Sequence, residues 1–272
     1  MPRFLLCLAL AGTFFLPPLA ARAQKVALPV TFHRQEHSLS CEVASLKTAL
    51  KIFGIEVSEA ELISRLPFDA TPKSPGVWGD PNKGFVGNIN GTMLGTGYGV
   101  YAGPIAQIAN RYVRAEILNS ATPQDIAKAI SAGRPVIMWG YYGSGAPSSW
   151  QTPAGTPVKA VNGEHTRVVF GYDGPARNPT RFYLMDPITG SFSLAAAEFL
   201  RNWNSLDNMA LVLSPRWVRL PGGIKIWEVD NDGTRHWVTS WSAFVRRGGS
   251  KEAVTTIPQP ELNTYPEGAE IN

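Results

Sequence analysis

Cysteine placement constrains this chain more than any other feature: it has two, Cys7 and Cys41, and only Cys41 falls in a segment that can join a folded domain. Cys7 lies in an apolar run, Phe4 to Ala20, preceded by Met1-Pro2-Arg3 and followed by Ala21-Arg22-Ala23. A short basic start, an apolar stretch and a small-x-small site form the pattern of a cleavable secretory signal. Pro17-Pro18 interrupts the run and no second apolar span follows, so residues 1–23 read as a signal peptide, not a permanent membrane anchor. The mature chain from Gln24 then carries a single thiol and cannot close an internal disulfide. A hydrophobic core must hold it, and 44% hydrophobic with 17% charged residues can supply one. The net charge of +4 is small and Lys and Arg form no run, which argues against a nucleic-acid partner.

A lone thiol in an exported chain is either packed as a small hydrophobe or reactive. Val43, Leu46, Leu50 and Phe53 recur at helical spacing, Ser38 or Ser40 is a natural cap, and Gly54 sits where a helix stops. Cys41 therefore falls in the first helical turn, out of phase with the buried stripe. Unpaired N–H groups and the positive dipole end there stabilise a thiolate, so the expected thiol pKa is low. Position favours the reactive reading.

A nucleophilic cysteine needs a base and a group that orients it. The chain has four histidines, His33, His37, His165 and His236. His165 opens the strand-like run His-Thr-Arg-Val-Val-Phe-Gly-Tyr-Asp, and Asp186 closes a second, Arg-Phe-Tyr-Leu-Met-Asp, before Pro187. If 165–172 and 181–186 pair antiparallel, the start of one meets the end of the other and brings His165 to Asp186. His33 and His37 are rivals on the polar loop before the helix, where histidines are more often surface residues; His236 belongs to the C-terminal segment. No His/Cys/Asp cluster has metal-ligand spacing, so no metal and no cofactor is expected.

These residues resemble the papain-like cysteine peptidases of the bacteriocin-leader-processing type, and more closely their stand-alone exported relatives with peptidase C-39-like domains. The resemblance rests on a Gln six residues before the nucleophile, Gln35, and on the segments 79–89, 97–102 and 132–139. Glu164-His165 ahead of Val-Val-Phe-Gly-Tyr-Asp completes the set, which covers roughly residues 30–215. It implies a papain-like α+β fold, with the nucleophile helix packed on an antiparallel sheet. It also implies the roles: Cys41 as nucleophile, His165 as base, Asp186 orienting the imidazole, and Gln35 with the Cys41 N–H binding the oxyanion. One departure stands out: leader-processing enzymes usually have Gly after the nucleophile, and this chain has Glu42.

The chain thus divides into a signal peptide (1–23), a C-39-like cysteine peptidase domain (24–215), and a linker with a small β-hairpin module (216–272). Helices are expected from Ser58-Glu59 to Leu66, from Thr122-Pro123 to Gly133 and over 195–203, with strands over 135–142 and 209–213. The glycine-rich stretch 67–104 is expected either to wall a substrate groove, with Trp78 and Tyr101 as apolar contacts, or only to pack over the sheet; the loop 143–163, with Trp150 as a further groove candidate, reads as a mobile flap. Pro215 to Pro221 reads as a linker. Asn231-Asp232-Gly233 between two β-rich runs signals a hairpin, and most of Trp227, Trp237 and Trp241 are expected in the core of a small module, the alternative being an accessory surface that binds cell wall, glycan or a protein partner.

The expected activity is that of an exported bacterial thiol hydrolase, secreted or periplasmic and monomeric. It would cleave a peptide or amide bond through an acyl-enzyme thioester. Its partner would be a peptide or protein substrate, with cell-wall material as a second candidate. The alternatives are a catalytically silent peptide- or wall-binding module, and an acyltransferase or peptidoglycan amidase using the same residues.

Overall fold

The computed structural model describes residues 25–230 and 232–272. The signal-peptide reading of 1–23, with Cys7, lies outside the described residues. The first elements are β1 (Lys25–Ala27), α1 (Cys41–Ile52), α2 (Glu59–Ser64), β2 (Phe68–Asp69), β3 (Phe85–Val86) and α3 (Ala102–Ala109). Then come β4 (Arg114–Leu118), α4 (Pro123–Ser131), β5 (Val136–Tyr141), β6 (Pro147–Gln151), β7 (Pro157–Val161) and β8 (Glu164–Asp173). They are followed by β9 (Arg181–Asp186), β10 (Gly190–Ala195), α5 (Ala196–Trp203), β11 (Ala210–Ser214) and β12 (Trp217–Arg219). The chain closes with β13 (Ile226–Val229), β14 (Arg235–Val238), α6 (Trp241–Arg246), β15 (Val254–Thr256) and α7 (Gln259–Leu262).

Helix α1 follows the apolar spacing read from the sequence. Val43, Leu46 and Leu50 are fully buried, each contributing about 1.5–3 kcal/mol through burial. Gly54 ends it at φ +77°, a conformation L side chains rarely adopt. Helices α2 and α4 start at side-chain caps. Ser58 accepts from the Glu61 N–H, and Thr122 and Asp125 form a reciprocal capping box with Pro123 at the first position.

The central sheet runs β10-β9-β8-β5-β11-β4, with β1 against β8. All of these pairings are antiparallel. Strand β8 is buried from Glu164 through Tyr172, as expected of a strand covered on both faces. One face carries Leu46 and Leu50 of α1, Ile105 of α3 and Val168. The other carries Ile126 and Ile130 of α4, Phe199 and Trp203 of α5, and Val169. This is the α+β arrangement expected from the sequence. Among the described residues no helix is long and apolar enough to cross a membrane.

Three expectations are corrected. The segment 143–163 is no open flap: 147–161 form the hairpin β6–β7, paired from Pro147↔Val161 to Gln151↔Pro157. Residues 215–221 are no free linker, because they contain β12, which pairs antiparallel with β13 and parallel with β15. The C-terminal tryptophans are also redistributed. The expected hairpin forms with Trp227 opposite Trp237, but the fully buried ring is Trp217, while Trp241 is 52% exposed. Trp217 of this four-stranded sheet and Phe244 of α6 belong to the same apolar cluster as Leu46 and Leu213, so the core runs across the 215/216 boundary. Arg216 and Arg247 both pair with buried Glu228, and Arg216 also donates to the Asn110 carbonyl, tying the C-terminal sheet to the segment after α3.

Candidate active site

Cys41 is the first residue of α1 and is buried. The helix is pinned to β8 by its own apolar face and by Ser45 Oγ, 3.3 Å from Thr166 Oγ1. Strand β9 pairs with β8 only from Val168 onward, so the first residues of β8 present an open edge on that side. There Thr166, whose hydroxyl meets Ser45, lies beside the Cys41 thiol and favours its ionised form.

The thiol donates to Glu42 Oε2 at 3.3 Å, and Glu42 Oε1 accepts the Val100 N–H at 2.6 Å. Glu164, at the start of β8, brings a second carboxyl, and the Cys41, Glu42 and Glu164 ligand atoms lie within 4.8 Å of one another. Gly99 bounds this pocket: a Cβ there would stand 2.5 Å from both a Glu42 and a Glu164 oxygen.

Burial pushes the Cys41 thiol pKa up, Glu42 and Glu164 push it further, and the Thr166 donors offset only part of the rise. The low thiol pKa expected from the helix start is therefore overturned, because burial of the thiol, and after it the two neighbouring carboxyls, outweigh the helix-end field. Burial raises Glu42 to about 7 against the Val100 N–H that stabilises its charge. Glu164 is raised by burial and then by Glu42, with Arg167 opposing. Ionised, Glu164 has no hydrogen-bond partner for either oxygen. Protonated, it can donate to Glu42, so the pair holds a shared proton.

The next residue along the strand belongs to a different cluster. His165 Nε2 stands 3.0 Å from Asp186 Oδ2, the contact expected from the strand pairing. Arg167 Nε donates to the same oxygen at 2.7 Å, and Asp186 Oδ1 accepts the Ile188 and Thr189 N–H groups. Burial alone would raise Asp186, but His165, Arg167 and the Ile188 N–H hold its carboxyl well below the usual range. Burial lowers His165, Asp186 raises it and Arg167 lowers it, leaving the ring below its ordinary value and neutral. Its Nδ1 makes no hydrogen bond among the described residues, and none joins the ring to the Cys41 thiol.

Gln35 lies beside Asp186 in space, its N–H donating to the Pro187 carbonyl. Its Nε2 donates to the carbonyls of His37 and Ser38, at 2.8 and 3.0 Å, so both amide hydrogens are engaged within the loop. The other histidines have partners elsewhere: His33 with Glu59, His37 with Asn90, and His236 with Asp230 and the Ala269 carbonyl.

Trp78, Tyr101 and Trp150, expected as groove contacts, are core residues. The Trp78 and Trp150 ring centroids are 5.5 Å apart, Trp150 Nε1 donates to the Gly79 carbonyl and the Tyr101 hydroxyl to that of Lys159. Large rings with satisfied polar handles give the glycine-rich segment its own packing, which loop composition does not reveal. Sequence reasoning missed Glu164, Thr166 and Arg167. The signal was present, since a carboxylate and a guanidinium inside a fully buried strand need partners.

The profile of the Peptidase_C39 like family matches residues 27–211. A C39-like peptidase from Bacillus anthracis superposes with a TM-score of 0.61 at 30% identity, covering 71% of this chain and 98% of that one. The uncharacterized protein YvpB of Bacillus subtilis (strain 168) is 29% identical over 179 residues, which is 64% of this chain and 68% of YvpB. The peptidase domain of Streptococcus ComA, a bifunctional ABC transporter of a quorum-sensing pathway, aligns at 16% identity with a TM-score of 0.43. That alignment covers 69% of this chain and 98% of the ComA domain.

Proposed function

Because this chain belongs to the C39-like peptidase family, we propose that it is a thiol hydrolase of peptide or amide bonds in which Cys41 is the nucleophile. One observation carries the reading. His165 is fixed through Nε2 by Asp186, its Nδ1 has no hydrogen-bond partner among the described residues, and its neighbour Thr166 meets Ser45 of the nucleophile helix α1.

In this mechanism Asp186 accepts the Nε2–H and selects the tautomer that leaves Nδ1 as a base. The Cys41 proton passes to Nδ1 and the thiolate attacks the substrate carbonyl carbon. The Cys41 N–H, free at the helix start, donates to the developing oxyanion; Gln35 joins it when its amide swings from the His37 and Ser38 carbonyls. The Nδ1 proton then leaves with the amine, and water hydrolyses the thioester with His165 as base. Arg167 acts at one remove, holding Asp186 ionised beside a neutral ring. Export through the 1–23 signal is part of the proposal, and N-terminal sequencing of the secreted protein should begin at Gln24.

A second reading, a groove that binds peptides without turnover, is favoured by the thiol's bond to Glu42 in place of His165. Alkylation separates the two. Iodoacetamide should label Cys41 in the native protein, and His165→Ala should slow that labelling at least about tenfold, the low end of general-base effects. Equal labelling rates would remove His165 from the mechanism and leave the binding reading.

A further inference from the structure

The pocket beside Cys41 contains more negative charge than the proposed hydrolysis uses. The thiol, Glu42 and Glu164 come from the head of α1 and from a strand more than a hundred residues later. Their ligand atoms nevertheless converge within 4.8 Å, and all three residues are buried. A further observation points to a ligand. Both Glu164 oxygens are buried, and no N–H or O–H of the described residues donates to either. Gly99 lets the two carboxyls close in, since a Cβ there would lie 2.5 Å from an oxygen of each. The Val100 N–H meanwhile holds the Glu42 carboxyl in place through Oε1 and leaves Oε2 turned to the sulfur.

We propose that Cys41 Sγ, Glu42 and Glu164 form a site for one zinc-like divalent cation, and that the bound cation silences the thiol. The donor set is one thiolate sulfur and two carboxylate oxygens, the mixture that suits a borderline ion and is poor for magnesium or calcium. A tetrahedral ion with bonds of about 2.0–2.3 Å holds its ligand atoms roughly 3.5 Å apart, which this cluster reaches by a small closing movement. The three protein ligands leave a fourth position for water. Cation binding replaces the thiol proton and the shared carboxyl proton, and occupies the sulfur lone pair that would attack a carbonyl. The inhibitory consequence rests on the hydrolase reading; the site itself does not.

The test is titration of the reduced, EDTA-treated protein, using cadmium to see the sulfur and zinc to measure affinity. Cadmium should produce a thiolate-to-metal ultraviolet absorption that saturates at one equivalent and is absent in Cys41→Ala. By calorimetry, zinc affinity should fall at least about tenfold in Glu164→Gln, whose amide can still donate to Glu42 and preserve the packing. Glu42→Gln is held to the same criterion should Glu164→Gln fold poorly by circular dichroism. His165→Ala should keep wild-type zinc affinity. Absence of the absorption in the wild-type protein, or unchanged zinc affinity in a folded glutamine variant, overturns the site. A protein that binds cadmium at Cys41 without cleaving any peptide keeps the site and removes the hydrolase reading; cleavage without cadmium absorption does the reverse.

Discussion

Two polar clusters lie one residue apart on β8 and solve burial in opposite ways. At Glu164 and Thr166, the thiol and two carboxyls meet without a cation in hydrogen-bond reach, so protons must supply the missing positive charge. At His165 and Arg167, one carboxylate is met by a guanidinium, an imidazole and two backbone N–H groups, and it stays ionised. Strand alternation separates them: Thr166 turns to Ser45 of α1, while His165 and Arg167 turn to Asp186. The lesson is that the charge state of the candidate nucleophile is set by its burial and by the carboxyls packed next to it, and not by its position in the helix.

The largest effect should come from breaking the balanced cluster. Arg167→Met leaves Asp186 buried with only His165 and two N–H groups, and should lower stability by about 3–5 kcal/mol in urea unfolding. Loss under about 1 kcal/mol would mean that Arg167 is not what keeps Asp186 charged.

Cavity formation under the acid cluster comes next. Leu46→Ala, at a fully buried position of α1, should cost about 2–5 kcal/mol and loosen the seating of Cys41 against β8. A matched loss of Cys41 alkylation selectivity would sharpen the link between helix packing and the thiol's surroundings.

The clusters should also respond to pH with opposite sign in metal-free protein. Glu42 and Glu164 titrate higher when folded, so their stabilising contribution is present at acid pH and is lost as pH rises from about 4.3, the unfolded value, through about 7. His165 and Asp186 titrate lower when folded. Their contribution is lost as pH falls below about 6.5 for the histidine and below about 3.9 for the aspartate. Glu164→Gln should therefore gain thermal stability relative to wild type between pH 5 and pH 8, read as a Tm difference that widens with pH. A difference constant across that range would show that the pair carries no shared proton.

The smallest effect concerns the C-terminal sheet. Trp241→Ala, half exposed, should change stability by less than about 1 kcal/mol, whereas Trp217→Ala should cost about 3–5 kcal/mol.

That last contrast also marks what could be read in advance. Strong local patterns transferred directly: the Val43-Leu46-Leu50 stripe gave α1, the Thr122-Pro123 start gave α4, and two strand-like runs brought His165 to Asp186. Properties set by distant chain did not transfer. Trp217 looked like linker because its burial depends on Phe244, and Trp150 looked like a flap residue because its partners are Trp78 and Tyr98. The thiol's acid surroundings were hidden for the same reason, since Glu164 reaches Cys41 only through the packing of α1 on β8.

The most direct test of the account is hydrolysis itself. The purified protein should be given a peptide and muropeptide panel beside Cys41→Ala, with products read by mass spectrometry after chelation of metal ions. The account predicts cleavage of an amide bond by the wild-type protein, a transient acyl adduct on Cys41, and no cleavage by Cys41→Ala. Undiminished cleavage by Cys41→Ala would contradict it.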